Sequence, residues 1–368
     1  MSRKGENIYK RKDGRWEGRF IKGYSENGSA KYGYLYAQSY SEARAMLERV
    51  KINRALGVEV GGRVVRIGAL ADEWLTVNQH RICESSFVKY SAVVEKHIKP
   101  SLGGLRAEAI CEVKISEFTD ELLYEKALSP KTVRDILTIL GSILKYARKR
   151  IGAKMPNVEI IYPKYNKREI RVLSLAEQTR LVSFLISDTD ERKCGILLAL
   201  MTGMRIGELC ALRWRDVSLE ERCIRVRSTM QRLRDVESEG TRVVISNPKS
   251  ESSVRVIPLT DYALTLCARF RKSDGRAFVL TGDCERFCEP RLMQHYFEKI
   301  TERLGLSGVH FHSLRHTFAT RCVEVGFEIK SLSEILGHAS PKITLERYVH
   351  SSIELKRDNM QKLAALGF

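Results

Sequence analysis

The sequence contains no long hydrophobic run and no recognisable export signal. No segment approaches the roughly 18 consecutive apolar residues of a membrane-spanning helix. The first residues, Met-Ser-Arg-Lys-Gly-Glu-Asn, lack the apolar stretch of a secretory signal peptide. We therefore expect a cytoplasmic protein that has no membrane partner.

Motifs for phosphate-loop nucleotide binding and for catalytic zinc are also missing. There is no Gly-x-x-x-x-Gly-Lys segment and no His-Glu-x-x-His segment. The nine cysteines are scattered from Cys83 to Cys322, and their odd number favours a reduced, intracellular protein. Cys284 and Cys288 are the closest pair, but no second Cys or His pair at zinc spacing accompanies them. We expect no metal and no cofactor.

Acidic residues are outnumbered, with 45 Asp and Glu against 63 Lys and Arg, so the formal net charge is +18. This balance favours a polyanion such as DNA as partner, because Lys and Arg that neutralise phosphates release counterions. The plain alternative is that the charge only keeps the protein soluble. A length of 368 residues with 43% hydrophobic content is sufficient for two or three domains.

Residues 1–57 are expected to form a small sheet followed by a helix. The pairs Asp13-Gly14 and Asn27-Gly28 are hairpin-turn signals, and Ser39 with Glu42 forms a capping box for the helix. The expected strands cover residues 6–11, 15–23 and 31–38. Eight basic residues against three acidic ones at positions 3–22 suit a sheet that lies in a DNA groove, although a solvated sheet is the alternative. The candidate DNA contacts here are Arg15, Arg19 and Lys22.

Residues 67–152, after a glycine-containing linker at 58–66, follow a helical pattern. One helix begins near Ser85 and is expected to stop before Pro100. The last helix has Ser129 as its N-cap, followed by a proline at the first helical position. This region is either a four-helix interaction module or a DNA-binding one. The candidate DNA contacts are the basic residues of the last helix, Lys131, Arg134, Lys145, Arg148 and Lys149.

A basic linker at 153–172 precedes the last region, residues 173–368, in which helices come first, strands follow within 222–259 and helices then resume. Strands at 241–246 and 253–257 are expected to pair as a hairpin that holds Lys249 at its tip. The tail from 353 to 368 is amphipathic. We therefore expect a multidomain α+β protein, in which a three-stranded sheet plus helix precedes a helical domain and a mainly α domain with a small antiparallel sheet.

Residues 310–350 contain five of the eight histidines. They include the motifs His-Ser-Leu-Arg-His-Thr-Phe (312–318), Leu-Gly-His (336–338) and Glu-Arg-Tyr-Val-His (346–350). On a helix, His312 and Arg315 share one face. Charged groups are rarely buried unpaired, so a cation beside imidazoles suits an anion, and a phosphodiester is the anion that a basic protein meets most often.

The residue types fit phosphodiester cleavage. Met-Thr-Gly-Met-Arg-Ile-Gly-Glu-Leu (201–209) places Arg205 at a helix start, which is itself an anion site. Two arginines bind non-bridging oxygens, histidines move protons or donate to them, and a tyrosine of pKa about 10 needs such help as a nucleophile. Each residue also has an ordinary alternative: pairing with Glu208 for Arg205, pairing with a nearby carboxylate for Arg315, helix capping for His338, an exposed turn for Lys249 and packing for Tyr348.

These motifs together resemble the tyrosine recombinase (phage integrase) family, in particular integrases of conjugative transposons and temperate phages. The resemblance covers the whole chain and implies an arm-binding domain at 1–57, a helical core-binding domain at 67–152 and a catalytic domain at 173–368. It implies no metal and a 3′-phosphotyrosine intermediate at Tyr348, with Lys249 protonating the leaving 5′ oxygen. The implied catalytic residues are Arg205, Lys249, His312, Arg315, His338 and Tyr348.

The function implied by the resemblance is integration and excision of a mobile element. The partners would be double-stranded DNA at core and arm sites, three further protomers in a homo-tetramer, and, as candidates, an excisionase or a host DNA-bending protein. The alternatives are a chromosome or plasmid resolvase of the same family, a type IB topoisomerase, and a DNA-binding regulator that does not cut. In this family a C-terminal segment often docks on a neighbouring protomer, which is the role expected for the tail.

Overall fold

The computed structural model describes residues 7–24, 29–55, 65–152, 155–166, 171–235, 240–247 and 253–348, together with 357, 360 and 361. The chain forms two compact units, one made of Met1–Ile82 and Lys89–Tyr165, the other of Cys83–Val88 and Asn166–Phe368. None of the helices formed by these described residues combines the length and the apolar character that a membrane-spanning helix needs.

The N-terminal sheet and its helix are confirmed. The antiparallel strands β1 (Ile8–Lys10), β2 (Trp16–Tyr24) and β3 (Ala30–Ala37) pair in the order β1-β2-β3, and α1 (Tyr40–Ala55) follows. The small core consists of Ile8, Ala37, Ala43 and Leu47, with Trp16 and Phe20 packed against it. At the helix start, the Ser39 hydroxyl accepts from the amide of Glu42 at 3.2 Å, whereas the Glu42 carboxylate accepts from the amide of Gln38 rather than that of Ser39.

The helical region contains α2 (Ile67–Asn78), α3 (Glu84–Val93), α4 (Lys99–Leu102), α5 (Glu112–Asp120) and α6 (Pro130–Ile151). The expectation that a helix ends before Pro100 is wrong, because a π-helical turn, Val94–Ile98, joins α3 to α4. In that turn the amide of Lys99 reaches back five residues to Val94. Pro100 then lies in the first turn of α4, the helical position that tolerates a proline best.

Helix α6 begins as its sequence predicts. The Ser129 hydroxyl accepts from the amide of Thr132 at 3.2 Å. Every third or fourth side chain faces inward, which gives the helix a continuous buried stripe. That stripe consists of Val133, Ile136, Leu137, Ile139, Leu140, Ile143, Leu144 and Ala147.

The second unit is mainly helical. Its helices are α7 (Leu175–Ser187), α8 (Glu191–Thr202), α9 (Ile206–Ala211), α10 (Asp261–Phe270), α11 (Pro290–Arg303), α12 (Phe311–Glu324), α13 (Ile329–Leu336) and α14 (Pro341–Tyr348). Helix α8 is buried on nearly every side and lies in the main core, whose largest side chains include Trp214, Phe278 and Phe297. The mixed α+β class is therefore confirmed.

The strands of this unit pair differently from the expectation. Strands β4 (Val217–Ser218), β5 (Cys223–Val226) and β8 (Arg255–Pro258) form one antiparallel sheet, and β6 (Thr229–Arg234) and β7 (Thr241–Ser246) form another. The predicted hairpin between 241–246 and 253–257 is therefore wrong. The register of β5 with β8 places the buried side chains Ile224 and Ile257 opposite each other, so the core selects this partner. In the sequence, Lys249 falls between the end of β7 and the start of β8.

Candidate active site

Arg205 is placed by a sharp turn between α8 and α9. Gly203 ends α8 with φ 64°, the left-handed conformation that favours glycine. A Cβ atom at Gly203 would also approach a ring carbon of Phe318 to 2.6 Å and Leu336 to 2.8 Å, so the position requires glycine for a second reason. Arg205 is the N-cap residue of α9, and its half-buried side chain extends to the end of α13.

Arg315 lies on α12 and is 2% exposed. Its guanidinium donates to the backbone oxygen of Gly203 at 2.8 Å and to that of Leu336 at 2.7 Å. The partners of Arg315 are therefore two backbone carbonyl groups, and not the nearby carboxylate that was the ordinary alternative. Burial and the neighbouring Arg205 charge lower the pKa of Arg315, so an anion placed here would be bound strongly.

Three arginines donate hydrogen bonds to backbone carbonyl groups at the C-terminus of α13. Its first free carbonyls are satisfied by a Schellman turn, in which Gly337 donates to Glu334 and His338 donates to Ser333, both at 3.0 Å. Each of the next three carbonyls accepts from a different guanidinium. The pairs are Arg255 with Ile335 at 2.6 Å, Arg315 with Leu336 at 2.7 Å and Arg205 with Gly337 at 3.1 Å. The negative end of this helix therefore orients both predicted catalytic arginines.

Glu208 is buried and binds two of these arginines at once. Its carboxylate accepts from Arg205 at 2.7 Å, and from Arg255 at 3.0 and 2.8 Å. Burial alone would raise the pKa of Glu208, but the hydrogen bonds and charge of Arg255, together with the charge of Arg205, hold it below the usual value. The sequence identifies Glu208 only as the ordinary partner of Arg205, and it gives no signal for Arg255.

The two predicted catalytic histidines line the same open cavity of about 270 Å³ as the arginines. Desolvation in the cavity wall and the charges of Arg315 and Arg205 lower the pKa of His312 to about 4 and that of His338 to about 3, although His312 is exposed to the solvent of the cavity. Both imidazoles are therefore neutral at pH 7. The Nδ1 atom of His338 is hydrogen-bonded to the Thr344 hydroxyl at 2.8 Å. The lining residues are Arg205, Ser253, His312, Arg315, Gly337, His338, Ala339, Ile343 and Arg347.

Tyr348 is the last residue of α14, and only 5% of it is exposed. Its ring stacks on that of His338, with centroids 6.4 Å apart and planes 5° from parallel. Its hydroxyl is hydrogen-bonded to Nδ1 of His316 at 2.8 Å. Burial raises the pKa of Tyr348, against the opposing charges of Arg315 and Arg347.

The sequence interpretation misses His316 as a partner of Tyr348. The signal is its spacing, four residues after His312, which places both rings on one face of α12. The two rings meet edge to face with centroids 4.5 Å apart. The structure therefore brings Arg205, His312, Arg315, His338 and Tyr348 together and adds His316, whereas Lys249 lies outside the described residues.

The candidate DNA-binding residues have different surroundings. Arg15 is paired with Asp13 at 2.8 Å, and Arg19 lies 3.6 Å from the ring centre of Tyr32. The side chain of Lys22 lies outside the described residues. On α6, Arg134 is half-buried, donates to the backbone oxygen of Pro163 and faces two tyrosine rings, so part of its surface is already engaged. The remaining candidates on α6 are exposed: Lys131, Lys145, Arg148 and Lys149.

In the described part of the chain, no three His, Cys, Asp or Glu side chains are grouped as a metal site. Cys284 contacts Asp274 through its sulfur at 3.3 Å, and Cys288 is buried.

Comparison with known proteins identifies the family. Residues 171–354 match the model of the phage integrase family, and residues 67–123 match that of the phage integrase N-terminal SAM-like domain. A tyrosine recombinase XerC-like protein of Caldanaerobacter subterraneus subsp. tengcongensis is 27% identical over 369 residues, covering 93% of each chain.

Two solved structures share the fold. The Tn1549 transposon integrase in complex with a circular intermediate DNA superposes with a TM-score of 0.68 at 22% identity, covering 81% of this chain and 99% of that one. A lambda integrase tetramer bound to a Holliday junction gives a TM-score of 0.56 at 18% identity, covering 95% and 99%. The chain therefore belongs to the phage integrase family and is a tyrosine-type site-specific DNA recombinase.

Proposed function

We propose that the protein cuts and rejoins DNA through a 3′-phosphotyrosine at Tyr348, and that it integrates and excises a mobile element in this way. One observation carries the proposal: Arg205, Arg315, His312 and His338 line one cavity, and the buried ring of Tyr348 stacks on one of these histidines. These residues come from the start of α9, from α12, from the turn after α13 and from α14. Their convergence from distant segments supports the roles of nucleophile and anion clamp that we assign to them.

The charges around the cavity favour a phosphodiester. Arg205, Arg315 and Arg347 line it. Glu208, the buried carboxylate beside it, is already shared between Arg205 and Arg255. The arginines outnumber this carboxylate, so a phosphate would meet net positive charge. The guanidiniums of Arg205 and Arg315 are oriented in advance by the end of α13. Such fixed donors stabilise the charge that develops on the non-bridging oxygens in a pentacoordinate transition state.

The proposed reaction is a transesterification. The Tyr348 oxygen attacks the phosphorus, a 3′-phosphotyrosine forms, and the 5′ oxygen leaves with a proton that we assign to Lys249. His312 and His338 donate to, or exchange protons with, the phosphate oxygens. The phosphotyrosine bond retains the energy of the broken bond, so a 5′ hydroxyl from a different strand reverses the step without ATP.

We assign DNA contacts to three regions. Residues 1–57 bind arm sites, 67–152 bind the core site together with the catalytic domain at 173–368, and 58–66 and 153–172 are linkers. The lambda integrase is a tetramer on its junction, and we propose a homo-tetramer for this protein as well. The predicted amphipathic tail at 353–368, almost all of it outside the described residues, would dock on a neighbouring protomer. Any excisionase or host DNA-bending protein would act on that assembly.

The test uses DNA from the ends of the element that carries the gene, nicked close to the suspected crossover so that a short cleaved strand diffuses away. Wild-type and Tyr348→Phe proteins are compared on a denaturing gel. A protease-sensitive, shifted DNA band with the wild type alone is expected. Binding in a native gel without any adduct would refute cleavage and favour the regulator.

A second substrate separates the remaining alternatives. Relaxation of a supercoiled plasmid that lacks the element ends would identify a topoisomerase instead. Recombination of chromosome or plasmid dimer sites, but not of the element ends, would identify a resolvase.

A further inference from the structure

The nucleophile candidate has a hydrogen-bond partner with no role among the six predicted catalytic residues. The Tyr348 hydroxyl lies 2.8 Å from Nδ1 of His316. Of the two other histidines nearby, His338 uses its Nδ1 on the Thr344 hydroxyl and meets Tyr348 through its ring face. His312 meets the ring of His316 edge to face.

We propose that His316 is the general base of the cleavage step, which accepts the proton of the Tyr348 hydroxyl through Nδ1. This inference rests on the proposed function and adds a catalytic residue to it. A general base must lie within hydrogen-bond reach of the proton that it removes, and His316 meets this condition before any DNA is bound.

The other charged groups that act on the phenol cannot take this role. Arg315 and Arg347 lower the pKa of Tyr348, but a guanidinium only donates hydrogen bonds. They stabilise the phenolate character that develops as the proton leaves. His316 is an imidazole whose Nδ1 lone pair accepts the proton when Nε2 carries the hydrogen, and this is the tautomer that the proposal assigns to it.

The surroundings of His316 keep it neutral and ready to accept. Burial comes first, followed by His312 and Arg315 on its own helix and Arg347 on α14, and together they lower its pKa to about 4. The phenol of Tyr348 faces it from α14, and among the residues that the structure describes no carboxylate contributes to this shift. A phosphate bound at Arg205 and Arg315 places a negative charge beside these cations, which raises the proton affinity of His316 when the proton must move.

The step balances. As the bond from the Tyr348 oxygen to phosphorus forms, the phenol proton moves to Nδ1 of His316. The bond from phosphorus to the 5′ oxygen breaks, and that oxygen takes a proton from Lys249. In rejoining, the attacking 5′ hydroxyl gives its proton to Lys249, and the departing Tyr348 oxygen recovers its proton from His316.

The experiment is single-turnover cleavage of the nicked DNA by full-length wild type, His316→Asn and His316→Gln, between about pH 5 and 9. This range brackets the ordinary histidine pKa of about 6.5, toward which the bound phosphate raises the pKa of His316. The asparagine oxygen occupies the region of Nδ1 and still accepts the hydrogen bond, but it does not become protonated. We expect His316→Asn to bind DNA normally, to cleave about 10²- to 10⁴-fold more slowly, and to lose the rise of rate with pH that the wild type shows. His295→Asn, an exposed histidine on α11, serves as the matched control and should behave as wild type.

A substrate with sulfur in place of the bridging 5′ oxygen separates the base from the acid. A thiolate leaves without protonation, because a thiol pKa is about 8.5. This substrate should restore cleavage by Lys249→Ala but not by His316→Asn. Equal rates and pH profiles for His316→Asn and wild type would overturn the proposal in favour of a positioning role, and so would rescue of His316→Asn by sulfur. If His316→Asn does not fold, His316→Gln carries the same test. Failure of the wild type itself to cleave would instead refute the proposed function.

Discussion

Replacing Arg255 with methionine tests the ion-pair network beneath the candidate active site. Arg255 donates to both oxygens of Glu208, at 3.0 and 2.8 Å, and to the backbone oxygen of Ile335 at 2.6 Å. The side chains of Arg255 and Glu208 are 5% and 3% exposed, so water has little access to replace the lost donors. Methionine keeps the apolar stem of the side chain and removes every donor.

The expected loss of stability follows from burial. Removing one partner of a buried ion pair costs about 3–5 kcal/mol. Arg205 stays 2.7 Å from Glu208 and still offsets part of its charge, which places the expectation at the lower end of that range. A loss of about 3 kcal/mol in a folding unit of roughly 200 residues lowers Tm by about 6–12 °C.

The effect should depend on pH. The pKa of Glu208 is lower in the folded protein than in the unfolded chain. Its contribution to stability is therefore fully present above about pH 4.3, the unfolded value, and is lost as the pH falls through the lower folded value. The difference between wild type and Arg255→Met should be largest near neutrality and should shrink in acid.

The measurements are urea unfolding of the full-length protein at neutral and acid pH, and cleavage of the nicked DNA. Without Arg255, the Glu208 carboxylate binds only Arg205 and competes with the phosphate for its guanidinium. We therefore expect cleavage to slow by about 10²-fold. Arg225→Met is the matched control, because Arg225 lies on the paired strand β5 and binds Glu221 in a more exposed pair. It should change stability by less than about 0.5 kcal/mol. Equal stability and cleavage for the two variants would refute the role of the network.

Three further predictions follow from particular contacts. Gly203→Ala should lower the free energy of unfolding by about 3 kcal/mol, because a Cβ there combines a left-handed φ with a 2.6 Å approach to a neighbouring ring atom. Gly305 has a similar φ but open space around it, so urea unfolding of Gly305→Ala should show a loss of only about 1 kcal/mol. Equal losses for the two variants would contradict the steric argument. Ser129→Ala should cost about 1 kcal/mol in the unit that contains α6 without changing adduct formation, whereas Ser142→Ala at mid-helix should be nearly neutral. The pKa of His316 is lowered to about 4 by burial and its cationic neighbours, so the unfolded chain binds more protons between about pH 6.5 and 4, and stability falls as the pH drops through that range; His316→Asn should lose less stability than wild type between these pH values, and an identical loss would place the titration elsewhere.

Local features of the fold could be predicted from the sequence because their causes are local. Helix α6 has a serine cap, a proline in its first turn and an apolar stripe, all within its own residues. Strands β1 to β3 are separated by turn signals that set their order. Short motifs contain Arg205, His312, Arg315, His338 and Tyr348, so residue type and spacing predict them as catalytic residues before any contact is known. Lys249 and the tail stay predictions, since they lie outside, or almost entirely outside, the described residues.

The pairings between distant segments were decided by the tertiary structure. Strands β5 to β8 have similar alternation, and the core, through Ile224 and Ile257, determined which of them pair. The hydrogen bond between His316 and Tyr348 joins residues 32 positions apart, and the pair of Arg255 with Glu208 spans 47. The sequence by itself determined which groups the protein has for its chemistry. Packing determined which of them touch, because burial and long-range contacts depend on the whole chain rather than on local propensity.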